Sequence, residues 1–138
     1  YVVPLGVADI KREGTDVTIV SFGKIIKEAY KAADELEKEG ISCEIIDLRT
    51  VRPMDRKAII ESVKKTNRLV ILEEAWPFGN VSTEITYQVQ SHAFDYLDAP
   101  IKRITTADTP APYSPVLFEK WIPNSNDVIK AVKEVLYI

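Results

Sequence analysis

The residues best able to do chemistry fall together in Glu73-Glu74-Ala75-Trp76-Pro77-Phe78-Gly79, directly after the apolar run Leu69-Val70-Ile71-Leu72. Two carboxylates at the end of a buried strand could serve as a general acid and base. In an open sheet with helices on both faces, the loop leaving the carboxyl end of such a strand is where sites are built. Neighbours along a strand point to opposite faces, so Glu73 and Glu74 share one site only if the chain turns between them. An interface or a structural hydrogen bond is therefore the favoured role for the pair. Trp76, Phe78 and Trp121 are large apolar groups in loop-like sequence, which mark either core or interface.

The other reactive residues assemble less. His92 is the only histidine and Cys43 the only cysteine, which argues against a zinc site and excludes an internal disulfide. No Gly-x-Ser-x-Gly elbow is present for a serine nucleophile. Cys43 falls inside a strand pattern and reads as a buried, inert thiol. Gly23 closes a strand and opens a helix, the place of a phosphate-binding turn, but the glycine series of a dinucleotide site is missing. A small anion at that helix start is the alternative reading. Arg49, Arg52 and Arg56 cluster around Pro53. They read as an anion site, a seat for another subunit's carboxylate, or a solvated basic edge. No full catalytic constellation results, and an assembly module is the reading that remains.

The elements that hold these residues alternate strand and helix. The chain has 138 residues, 46% hydrophobic and 28% charged, which fits one domain, 1–138. Residues 1–7 form an extended lead-in. Tyr1-Val2-Val3-Pro4 contains no Met, and the expectation is a fragment of a longer polypeptide. Residues 8–12 read as a short edge strand whose charges discourage pairing with other chains. Val17-Thr18-Ile19-Val20-Ser21-Phe22 is a β-branched strand. A helix over 24–39 puts Ile25, Ala29, Ala33 and Leu36 on one face, and its surface offers Lys31–Glu35 and Asp34–Lys38 pairs. Gly40 stands where a left-handed cap is wanted. A strand over 43–48 follows, then Asp55 as N-cap of a helix reaching about Lys65.

Residues 80–91 are ambiguous. Val81, Thr83, Ile85, Tyr87 and Val89 alternate like a strand, yet Val81, Ile85, Val89 and His92 also keep helical spacing. The alternation of the preceding units favours a helix, with Asn80 as its cap. A strand over 101–105, a proline-bearing loop over 107–115, a short helix and a final amphipathic helix complete the chain. Net charge is −3, too small to point to nucleic acid or an anionic membrane. No apolar run approaches the ~18 residues of a membrane span.

An ordered series of motifs carries a resemblance. These are Asp47-Leu48-Arg49-Thr50-Val51-Arg52-Pro53-Met54-Asp55, Lys65-Thr66-Asn67-Arg68, Glu73-Glu74-Ala75-Trp76-Pro77, Phe94-Asp95-Tyr96-Leu97-Asp98-Ala99-Pro100 and Thr106-Ala107-Asp108-Thr109-Pro110-Ala111-Pro112-Tyr113. Along its whole length the chain resembles the C-terminal domain of the beta subunits of thiamine-dependent 2-oxo acid dehydrogenases, pyruvate dehydrogenase foremost. That is the transketolase C-terminal domain family. Enzymes for branched-chain 2-oxo acids and acetoin share much of the pattern.

The resemblance implies a three-layer α/β/α fold with a five-stranded, mostly parallel sheet. It places the first strand antiparallel at the edge, and it makes 80–91 a helix. It implies no cofactor and no catalytic residue in this domain, with thiamine diphosphate and magnesium held elsewhere in the parent enzyme. The implied partners are an alpha subunit and a second beta subunit, in an α2β2 assembly, and the basic subunit-binding domain of the acyltransferase core. Asp98 and the main-chain carboxylate of Ile138 match positions that face that basic domain. Glu73, Glu74, Trp76 and Phe78 fall to a subunit interface. The implied location is a bacterial cytoplasm or a mitochondrial matrix.

Overall fold

The computed structural model describes residues 1–138. The strands are β1 (Asp9–Arg12), β2 (Val17–Ser21), β3 (Cys43–Asp47), β4 (Leu69–Leu72) and β5 (Lys102–Ile104). The helices are α1 (Ile26–Lys38), α2 (Arg56–Thr66), α3 (Val81–Ala93), α4 (Pro115–Trp121) and α5 (Ser125–Leu136). One sheet holds all five strands in the order β1-β3-β2-β4-β5. β1 runs antiparallel beside β3, and the other pairings are parallel. This is the mixed sheet with an antiparallel edge that the resemblance implied.

Strand alternation builds two cores. Val17, Ile19, Cys43, Ile45, Val70 and Leu72 point to the layer of α1 and α5, while Val20, Ile46, Leu69 and Ile71 point to that of α2 and α3. Each inner strand therefore sends apolar residues to both faces, as a covered parallel sheet requires. Residues 81–93 form a helix. Their alternating pattern loses because β4 and β5 are parallel neighbours and need a crossover between them. Gly14 crosses β3 so closely that a Cβ would stand 2.2 Å from the Cys43 carbonyl carbon. Gly40 takes φ of 80° after α1, as a left-handed cap.

Local pairings on α1 differ from the expected ones. Lys31 pairs with Glu28 and Lys38 with Glu35, each at i,i+3. Asp34 instead joins Glu37 in holding Arg12 of the edge strand. The Arg12 fork serves both carboxylates at once, Nη1 donating to Asp34 at 2.7 Å and Nη2 to Glu37 at 2.8 Å, a planar geometry that a lysine ammonium lacks.

Candidate functional site

Glu73 continues the β4 pairing, its N–H donating to the Ile104 carbonyl at 3.0 Å. Its side chain is fully enclosed, 0% exposed. Oε2 accepts the Ser82 N–H at 2.5 Å, in the first turn of α3. The expected cap, Asn80, makes no such bond. Its amide donates back to the Trp76 carbonyl at 2.6 Å. So Glu73 caps α3 from the strand, where a carboxylate also meets the positive end of the helix dipole. A group so enclosed offers nothing to a partner surface, and Glu73 leaves the set of expected interface residues. Oε1 is buried without a hydrogen-bond partner.

Glu74 turns to the other side, exposed, in a shallow cavity shared with Lys24, Glu28 and Phe118. The two carboxylates thus lie on opposite faces of the sheet, as strand alternation requires. They do not form an acid–base pair.

Trp76 and Trp121 converge. Both indole Nε1–H groups donate to the Thr109 carbonyl, at 2.7 and 2.9 Å. The proline-bearing loop is therefore pinned against the end of β4, with the Phe118 ring centre 5.5 Å from that of Trp121 and the rings tilted by 36°. Trp76 remains 50% exposed and Phe78 89%. The α4 residues Val116 and Leu117 are exposed as well, as is Tyr113 before them. An apolar surface of aromatic and branched groups at the carboxyl ends of the strands is the kind that partners cover.

The opposite end of the sheet carries the second expected pair. Arg68, just before β4, donates from Nε to the Val135 carbonyl in the last turn of α5 at 3.0 Å. Its Nη2 lies 3.9 Å from Asp98 Oδ2. The preceding Asn67 carbonyl accepts the Asp98 N–H at 2.9 Å. One dipeptide thereby ties the Asp98 turn to the end of α5; Ile138, two residues beyond the helix, is 74% exposed, and its N–H donates to the Lys133 carbonyl. Asp98 and the α5 terminus share this end, and Trp76 and Phe78 lie at the other.

The remaining candidates separate. Cys43 is buried, and burial pushes its thiol up to about 12, so no nucleophile is available there. Arg49 departs from the arginine cluster to pair with Asp9 at 2.6 Å. Arg52 and Arg56 line a groove between α2 and α3, with His92 at its far end. Above Gly23, the first turn of α1 already holds a carboxylate, Glu28, which accepts the Ser125 N–H and pairs with Lys31.

One buried constellation was missed. Glu44 on β3 is 1% exposed. It accepts from Ser62 Oγ at 2.5 Å, from the Gly14 N–H at 3.2 Å and from Lys65 Nζ. Ser62 continues to Thr18 at 2.6 Å, and Thr18 to Thr66 at 2.7 Å. Burial pushes the Glu44 carboxyl up, but the bonds from Lys65, Ser62 and Gly14 outweigh it and hold it below its ordinary value. A polar residue between apolar neighbours on a strand buried on both faces was the available signal. The network fastens α2 to the sheet, and no cleft opens on it.

Residues 6–128 match the model of the family described as Transketolase, C-terminal domain. The pyruvate dehydrogenase E1 component subunit beta of Rhizobium meliloti is 54% identical over 99% of this chain and 30% of its own length. The acetoin:2,6-dichlorophenolindophenol oxidoreductase subunit beta of Bacillus subtilis is 46% identical over 99% of this chain and 40% of its own. Among solved structures, one titled split gene transketolase, inactive beta4 tetramer, aligns with TM-score 0.85 and 28% identity, over 98% of this chain and 43% of that one. The chain thus spans less than half the length of each of these relatives.

Proposed function

The chain belongs to the transketolase C-terminal domain family, and we propose that it is the C-terminal assembly domain of a pyruvate dehydrogenase beta subunit. The parent enzyme would decarboxylate pyruvate oxidatively and pass the acetyl group to lipoamide. The observation that carries this reading is the 54% identity to such a subunit, sustained over 99% of the chain.

Assembly rather than chemistry fits the geometry. Glu73 is committed to a helix cap, Cys43 is buried and Glu44 is closed inside a polar network. The partners are an alpha subunit, a second beta subunit and the basic subunit-binding domain of an acyltransferase core. Glu74, Trp76 and Phe78 would meet a neighbouring subunit across the apolar end of the sheet. Asp98 and the Ile138 carboxylate would meet the basic domain at the opposite end. Charges at such a rim mainly set orientation and on-rate. The place of work is a bacterial cytoplasm or a mitochondrial matrix, and no helix is long and apolar enough to cross a membrane.

Thiamine diphosphate and magnesium belong to other parts of the parent. The residues of this chain do not fit them. No group of three or more His, Cys, Asp or Glu side chains is placed to hold a metal. At the start of α1, Glu28, Glu74 and Glu119 offset Lys24 and Lys27 in one shallow cavity, so no net positive seat for a diphosphate is assembled there. No catalytic step is assigned to the domain.

The test is coexpression of the complete polypeptide carrying this chain with its alpha subunit, followed by decarboxylation assays. Pyruvate turned over in preference to branched-chain 2-oxo acids and acetoin is the expected result. Preference for either of the others would move the chain to that enzyme. An open reading frame that starts just before Tyr1, and an isolated domain that binds a small anion at the Gly23 helix start, would replace the assembly reading with an independent anion-binding module.

A further inference from the structure

The arginines beside Pro53 are left over from the assembly reading, and the fold gives two of them a setting. Arg52 and Arg56 sit at one end of a groove of about 1090 Å3 between α2 and α3. Met54, Ile60 and Val81 form its apolar floor, partly buried against the core beneath. Lys64 stands further along, its Nζ 5.2 Å from the centre of the Tyr96 ring. We propose that this groove docks an acidic, amphipathic segment of a partner protein, its carboxylates held by Arg52, Arg56 and Lys64 and its apolar side chains lying on Met54, Ile60 and Val81.

Charge is the first argument. Three acidic residues, Asp55, Glu61 and Glu84, line the groove against four basic ones, Arg52, Arg56, Lys57 and Lys64. Asp55 accepts the Ala8 and Ala58 N–H groups. Glu61 lies 3.8 Å from Lys57, and Glu84 accepts from Gln88 at 2.6 Å. Arg56 has only the neutral Gln88 amide oxygen, at 3.1 Å. Arg52 and Lys64 have no carboxylate within salt-bridge distance. Outside the groove, Arg12, Arg49 and Arg68 each face at least one carboxylate, and Arg103 donates to Ser82 Oγ and the Pro77 carbonyl. A chain of net charge −3 therefore keeps two guanidinium groups without an acidic partner beside the apolar floor of one groove. Guanidinium forks match carboxylates in particular.

Length is the second argument, and it selects a peptide over a small anion. The α3 side of the groove runs through Val81, Glu84, Gln88 and His92. That is about 16 Å of helix at ~1.5 Å per residue. A single phosphate spans a fraction of this, while an amphipathic segment lays successive side chains along it. Neither Asp98 nor Ile138 lines this groove, so the surface is separate from theirs.

A fluorescein-labelled amphipathic peptide of Glu and Leu at helical spacing provides the probe, with a Lys and Leu peptide as its reverse. Fluorescence anisotropy should show saturable binding of the acidic peptide, weakened by salt, and none of the basic one. The double variant Arg52→Glu, Arg56→Glu should bind about tenfold more weakly or worse. Lys130→Glu, outside the groove, should match the parent chain. Amide NMR shifts on the unaltered chain should map to α2 and α3, a readout that needs no variant. Equal binding of both peptides, shifts elsewhere, no saturable binding, or an unchanged double variant would overturn the proposal. A single-stranded oligonucleotide that displaces the acidic peptide from the groove would also remove a peptide as its occupant.

Discussion

The Glu73 carboxylate, at the end of β4, accepts the backbone N–H of Ser82 in the first turn of α3 at 2.5 Å. The contact joins a strand to the helix that follows it, across the Trp76-Pro77-Phe78 loop, and makes the strand end responsible for where α3 begins. Glu73→Ala should cost about 2 kcal/mol, because a buried N–H loses its acceptor. Glu73→Gln keeps an amide oxygen for that N–H and should cost under about 1 kcal/mol. Urea unfolding of both variants checks this. Equal losses would show that the carboxylate's charge, rather than its acceptor oxygen, holds the helix.

Glu44 makes stability depend on acid. Its folded carboxyl is held below the ordinary value of 4.5, so the folded state binds its proton less readily than the unfolded chain does. The contribution is fully present above that value and is lost as pH falls through it towards the folded value. Thermal melts from neutral pH down through this range should show a falling midpoint. Glu44→Gln should lower stability at neutral pH and flatten the acid limb. A variant whose acid limb matches the parent's would assign the loss to other carboxylates.

The two indoles share one acceptor, the Thr109 carbonyl. Trp121→Phe removes one of the two bonds and leaves the Trp76 bond in place. We expect a stability loss of about 1 kcal/mol and faster hydrogen exchange through residues 108–118. Exchange that accelerates throughout the chain instead would mean that the loop unfolds only with the whole domain.

Asp98 is separable from the fold. Its side chain is 57% exposed and 3.9 Å from Arg68, so Asp98→Lys should change stability by less than ~1 kcal/mol. On the assembly reading, the same variant should bind a basic subunit-binding domain more weakly and with less salt dependence. Calorimetry that finds equal affinity for parent and variant would remove Asp98 from that surface.

Particular residues show how far the sequence could be read. The strand of Leu69-Val70-Ile71-Leu72, the Asp55 cap and the Gly40 turn are local facts, legible because periodicity and capping act within a few residues. The helix over Val81–Ala93 needed the chain's alternation as well as its own pattern. The opposite orientations of Glu73 and Glu74 follow from strand geometry alone. The resemblance carried Asp98, Ile138, Trp76 and Phe78, and the structure sorted them to two ends of the sheet.

The sequence alone thus determined the order of elements, the apolar faces and the family, since these rest on local spacing and ordered motifs. Tertiary structure decided which polar groups meet. Glu73 finds Ser82 rather than a partner protein, because β4 ends beneath the first turn of α3. Arg49 turns away from Arg52 and Arg56, because the edge strand brings Asp9 across forty residues. Glu44 lies buried among Ser62, Lys65 and Gly14, brought together by α2 and a close crossing of chains. Such contacts depend on how separate elements pack, and no spacing along the chain encodes which donor will stand opposite which acceptor.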